Sequence, residues 1–129
     1  MKLAFNTERL HVFETEPFVV HDDYWIARRI QFVAYPRDGG GVHTIMPVAT
    51  ALVQLPGILA HPFVDGIETS SLYRDHGFGV EVARGLIDRF DGEIRMCAVT
   101  KESAFMLDKL PVSEFIERLI KSSPGMVPD

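Results

Sequence analysis

The strongest constraint in this sequence is a helix signature with a glycine-rich approach and a strand pattern on each side. Val80, Ala83, Leu86, Ile87 and Phe90 recur at spacings of three and four, while Glu81, Arg84, Asp88 and Arg89 take the opposite face. That is the pattern of an amphipathic helix with one face on a core, and Asp91-Gly92 supplies its stop. Before it, residues 63–72 follow Pro62 as a strand, with a turn at Asp65-Gly66 as the alternative. After it, residues 93–100 carry Ile94, Met96, Ala98 and Val99, the largely apolar run of a central strand. Strand, helix and strand in this order form a β-α-β unit, in which the returning strand lies parallel to the first. The joint between first strand and helix is Arg74-Asp75-His76-Gly77-Phe78-Gly79.

The remaining segments supply further strands and helices. Residues 24–35 are rich in aromatic and β-branched side chains, with Tyr24, Ile26, Ile30, Phe32 and Ala34 on one face at period two. Pro36-Arg37-Asp38-Gly39-Gly40-Gly41 forms a turn, and residues 42–55 return as the second arm of a hairpin, with Pro47 at an edge or bulge within it. In the first twenty residues Thr7-Glu8-Arg9-Leu10 reads as the start of a short helix, which Pro17 stops. Thr100 caps a helix over residues 101–110. Pro111 then suits the first position of a last helix, whose stripe is Val112, Phe115, Ile116, Leu119 and Ile120.

Bulk properties exclude several classes of function. At 129 residues the chain suits one domain spanning 1–129, and its 47% hydrophobic content is enough to fold throughout. A net charge of −5 with scattered basic residues argues against nucleic acid as a partner. No apolar run is long enough to span a membrane, and Met1-Lys2-Leu3-Ala4-Phe5-Asn6 lacks the core of a signal peptide, so a cytoplasmic protein is expected. The lone Cys97 sits in an apolar run and reads as a small core residue. His11, His21, His43, His61 and His76 show no metal-ligand spacing, and no metal is expected.

An anionic ligand would therefore have to be recognised by local backbone geometry. The first turn of a helix leaves amides unpaired, its dipole adds positive potential, and glycines at 77 and 79 let a phosphate approach the backbone. The bland reading of the same residues is a tight strand-to-helix turn in a small α+β domain with no anion site. Tyr73 and Phe78 read as packing anchors around the loop.

The loop and its surroundings resemble the GNAT superfamily of acyl-coenzyme A N-acetyltransferases, in which a strand leads into Gln/Arg-x-x-Gly-x-Gly/Ala and an amphipathic helix follows. The likeness covers residues 24–110 and includes Ala98-Val99-Thr100-Lys101-Glu102-Ser103-Ala104-Phe105-Met106-Leu107-Asp108-Lys109-Leu110. It implies an α+β fold of α/β/α sandwich type, a mixed and mostly antiparallel sheet with helices on both faces. It implies acetyl-coenzyme A as cosubstrate, bound along Ser70, Leu72, Arg74, Asp75, His76, Gly77, Phe78, Gly79 and Val80, and a small-molecule or protein amine as acceptor. It also implies Glu68 as general base, against the alternative of an outward strand carboxylate. The sequence departs from the family at Leu107, where many members carry a tyrosine acid, and in its short N-terminal region.

Two readings of function follow. One is an N-acyltransferase; the other is a catalytically inactive domain of the same fold, acting as a coenzyme A-binding or protein-interaction module. The shortened periphery leaves room for a homodimer through a sheet edge or the Phe115-Ile116-Leu119 stripe.

Overall fold

A computed structural model describes residues 1–21, 26–37, 46–57, 60–74, 76–97 and 109–111. They form a mixed α+β structure: an eight-stranded, mostly antiparallel sheet and one α-helix. The strands are β1 (Lys2–Asn6), β2 (Leu10–Glu14), β3 (Phe18–His21), β4 (Ile26–Pro36), β5 (Ala49–Gln54), β6 (Phe63–Thr69), β7 (Arg95–Cys97) and β8 (Lys109–Pro111). The helix is α1 (Phe78–Arg89), preceded by a short 3-10 helix, Ser71–Tyr73. The sheet order is β1-β2-β4-β5-β6-β7-β8, with β3 also on β4. Among the described residues only β6 and β7, the strands joined through α1, pair in parallel.

The core lies between α1 and one face of the sheet. Paired residues share a face, so Val12, Ala34, Ala49 and Thr69 form one row across β2, β4, β5 and β6, and Phe32, Ala51 and Ile67 the next. Onto these rows α1 places Val80, Val82, Ala83 and Leu86, all buried. The alternation read at Ile30, Phe32 and Ala34 is the core-facing row of β4, while Ile26 on that row is exposed beyond the helix. Helix α1 ends as Asp91-Gly92 suggested. The Gly92 amide reaches the Ile87 carbonyl and the Asp91 amide that of Asp88, with both residues at positive φ, a Schellman ending.

Several expectations are corrected. Thr7 opens no helix: its hydroxyl accepts the Leu10 amide at 3.0 Å, the local bond a helix cap would make, but the Thr7 amide bonds back to the Leu10 carbonyl and the chain turns from β1 into β2. Pro17 interrupts a strand instead. β2 and β3 run the same way along β4, and their register slips by one residue across the proline. Pro47 stands before β5 and outside it, and residues 71–73 leave the strand expected over 63–72. Lys109 and Leu110, read as the end of a helix, and Pro111, read as the start of another, pair antiparallel with β7. The rest of those two helices, with Leu107 and the Phe115-Ile116-Leu119 stripe, lies outside the described residues, as do Tyr24, Gly39, Gly40 and Gly41. One face of the sheet carries α1.

Candidate functional site

The site read from sequence falls at the C-terminal end of β6, where a strand parallel to its neighbour hands over to a helix. In open sheets with parallel strands this is where ligands gather. The register shifts by one between Leu52↔Gly66 and Val53↔Val64, so Asp65 is an extra residue bulged out of β6. Beyond the bulge, among the described residues, Gly66, Ile67, Glu68 and Thr69 pair only with β5, because the β6–β7 register stops at Val64↔Met96. Among the described residues, then, the end of β6 nearest α1 has β5 as its one strand neighbour.

Gly77 takes φ 77° and ψ 12°, a left-handed conformation that an L side chain reaches only at a cost. It is the residue before the first turn of α1 and supplies no side-chain cap. Its carbonyl accepts the Glu81 amide at 3.0 Å, so the amides of Phe78, Gly79 and Val80 are the first-turn donors, without a hydrogen-bond partner among the described residues. A Cβ on Gly79 would stand 3.4 Å from Thr69 Oγ1 and 3.8 Å from Ile67 Cγ2. Gly79 thus faces β6 and lets helix and strand approach, which leaves Gly77 as the glycine the loop conformation demands.

The other expected site residues divide. Ser70 donates its amide to the Val48 carbonyl at 2.8 Å, and Leu72 lies 80% exposed in the 3-10 helix. Arg74 is exposed in extended backbone, and Asp75 lies outside the described residues. His76 is exposed, its ring 6.2 Å from that of Phe78, which also meets the Tyr73 ring edge-on at 5.9 Å. The two aromatic side chains pack on each other, in keeping with anchors for the loop. Glu68 is exposed on the sheet face opposite α1, across from Thr50.

A second set of residues meets the loop from the other end of the chain. Glu81, expected on the solvent side of α1, is buried at 7% exposure. Its carboxylate accepts the Thr7 hydroxyl, the Arg9 amide at 3.3 Å and Arg9 Nε at 2.8 Å. Arg9 Nη2 donates to the His76 carbonyl at 2.9 Å, and the guanidinium lies over the Phe78 ring, 4.1 Å from its centre. Arg37, at the end of β4, completes the cluster by donating to the Thr7 carbonyl at 2.8 Å. Nothing local marks these residues in the sequence, since Arg9 and Glu81 lie 72 positions apart. The helix pattern alone put Glu81 outward.

The fold and site define a mixed α+β sheet protein with a candidate anion-binding turn at the end of a β-α-β crossover. No known protein family, curated protein or solved structure matches the chain. Among the described residues no helix is long and apolar enough to cross a membrane.

Proposed function

We propose that this chain binds the pyrophosphate of a coenzyme A thioester at the first turn of α1 and transfers the acyl group, acetyl in the simplest case, to an amine. The observation that carries the reading is that the first-turn amides of Phe78, Gly79 and Val80, behind the left-handed Gly77, have no hydrogen-bond partner among the described residues. They lie just past the C-terminal end of β6, the strand that runs parallel to β7. Backbone donors and the helix dipole suit a dianionic pyrophosphate in a chain of net charge −5. A thioester running from there along β6 toward Glu68 is part of the same proposal.

The chemistry asks little of the protein. The amine nitrogen attacks the thioester carbonyl and gives up its proton to a base, and the C–S bond breaks to release the coenzyme A thiolate, which takes a proton from solvent. Glu68, exposed near the end of β6, is the group assigned to take the proton, directly or through water. The acceptor is an amine on a metabolite or a protein. A sandwich with a second helical layer over the far sheet face belongs to the same proposal.

Calorimetry with coenzyme A and acetyl-coenzyme A tests the binding claim. Gly79→Asp is the loop variant: it brings a carboxylate that the helix dipole tolerates but a pyrophosphate does not, with Gly79→Ala as the steric control. Binding by the parent and Gly79→Ala but not by Gly79→Asp is expected. Failure of the parent to bind either ligand would remove the proposal. A module that binds without turnover is the second reading, favoured by Leu107 where the resemblance puts a tyrosine. Thiol release on mixing acetyl-coenzyme A with an amine panel separates the two.

A further inference from the structure

We propose that Arg9, carried by the turn between β1 and β2, is the positioning residue that sets the ligand-binding shape of the loop at residues 76–80. The inference concerns the conformation of the loop and rests on the coenzyme A reading only for what the loop then binds. Three contacts of one guanidinium converge there. Nη2 donates to the His76 carbonyl at 2.9 Å, Nε donates to the buried Glu81 at 2.8 Å, and the plane stacks on Phe78 at 4.1 Å. They hold the residue before Gly77, the first residue of α1 and the last residue of its first turn.

The His76 contact has a directional consequence. In a trans peptide the carbonyl and the following N–H point to opposite sides, and the described chain contains no cis bond. Fixing the His76 carbonyl on Arg9 therefore turns the Gly77 N–H away from Arg9. It also fixes the plane from which the left-handed Gly77 departs. Gly77 is the glycine of this stretch that lies outside the helix, free in backbone conformation and with no side-chain cap to restrict it. An external tie is needed to hold a single arrangement. Arg9 supplies it, and Glu81 orients Arg9 while the Thr7 hydroxyl and the Arg9 amide hold Glu81.

A planar fork is essential to this role, because one group must donate along two fixed directions while lying flat on a ring. Removing Arg9 alone would leave the Glu81 carboxylate buried without its cationic partner, so the informative variant is R9Q/E81Q, which removes both charges. Two readouts are taken. In the free protein, ¹⁵N relaxation is expected to show the order parameters of the Gly77 and Phe78 amides falling from about 0.85 to 0.6 or below, with α1 beyond Val82 unchanged. Binding of coenzyme A is expected to weaken roughly tenfold or more, while pantetheine, which lacks the pyrophosphate, binds as it does to the parent.

Unchanged order parameters in R9Q/E81Q overturn the positioning role whatever the affinities. Coenzyme A affinity within about twofold of the parent overturns its relevance to binding. Loosening along the whole of α1, or an equal loss for pantetheine, marks a general structural defect and overturns the assignment. A parent that binds no coenzyme A defeats the function proposed above, and the relaxation result still decides whether Arg9 sets the loop.

Discussion

At the scale of single residues, the closest approach in the core concerns a glycine. A Cβ on Gly85 would stand 2.1 Å from Cε2 of Phe5, nearer than atoms can pack, so α1 lies flat on β1 only because this helical position is bare. In a solvent-facing helix the change to alanine would stabilise by about 1 kcal/mol. Here overpacking opposes it, and Gly85→Ala is expected to destabilise by roughly 1–3 kcal/mol in urea unfolding. Phe5→Leu should relieve the clash, so that the double variant is more stable than additivity allows; additive effects would show that the two residues do not meet. Gly77→Ala is strained for a different reason, its left-handed backbone, which should cost about 1–2 kcal/mol. Gly77 was legible, because a glycine pair between a strand and a helix signals special backbone. Gly85 was not, since its partner is 80 residues away in a segment with no long-range signal.

At the scale of elements, α1 is pinned near each end by a buried carboxylate. Glu81 binds Arg9 near its start, and near its end Arg89 makes two bonds, 3.1 and 3.0 Å, to Glu14 of β2, which is 4% exposed. Removing one partner of such a pair leaves a charge without compensation, whereas replacing both with apolar groups removes the desolvation penalty too. Arg89→Met is therefore expected to cost roughly 3 kcal/mol, and Glu14→Leu/Arg89→Met much less. Equal losses in the two variants would mean the pair is too hydrated to behave as buried. The elements themselves were unevenly readable. The helix and the long strand β4 carry periodic patterns, and both are present, whereas the strand before the loop was placed by its position after Pro62 and ends at Thr69, short of the expected 72. The N-terminal strands were missed because Thr7 makes the same local bond in a hairpin turn as in a helix cap, and only pairing with β4 decides between them. β8 is three residues long, ends in proline and exists as a strand only through β7. No local pattern could announce it.

At the scale of the molecule, these contacts join the N-terminal strands to residues 76–89. The turn between β1 and β2 touches the loop through His76 and Phe78, and β2 touches the end of α1 through Glu14 and Arg89. A ligand held by the first-turn amides should therefore stabilise more than α1. Ligand at about one hundred times its Kd adds about 2.7 kcal/mol to the native state. For a chain of this length that raises Tm by roughly 10 °C. Because the hairpin and the helix share the Arg9–Glu81 cluster, amide hydrogen exchange should slow in β1 and β2 along with α1 when coenzyme A binds. In Arg9→Gln/Glu81→Gln the slowing should shrink to α1 and β6, since the link is gone while the sheet remains. Protection confined to α1 in the parent would show that the hairpin only rests on the helix and transmits nothing from the loop. The sequence made the loop visible, but the control exerted on it from the other end of the chain required the fold.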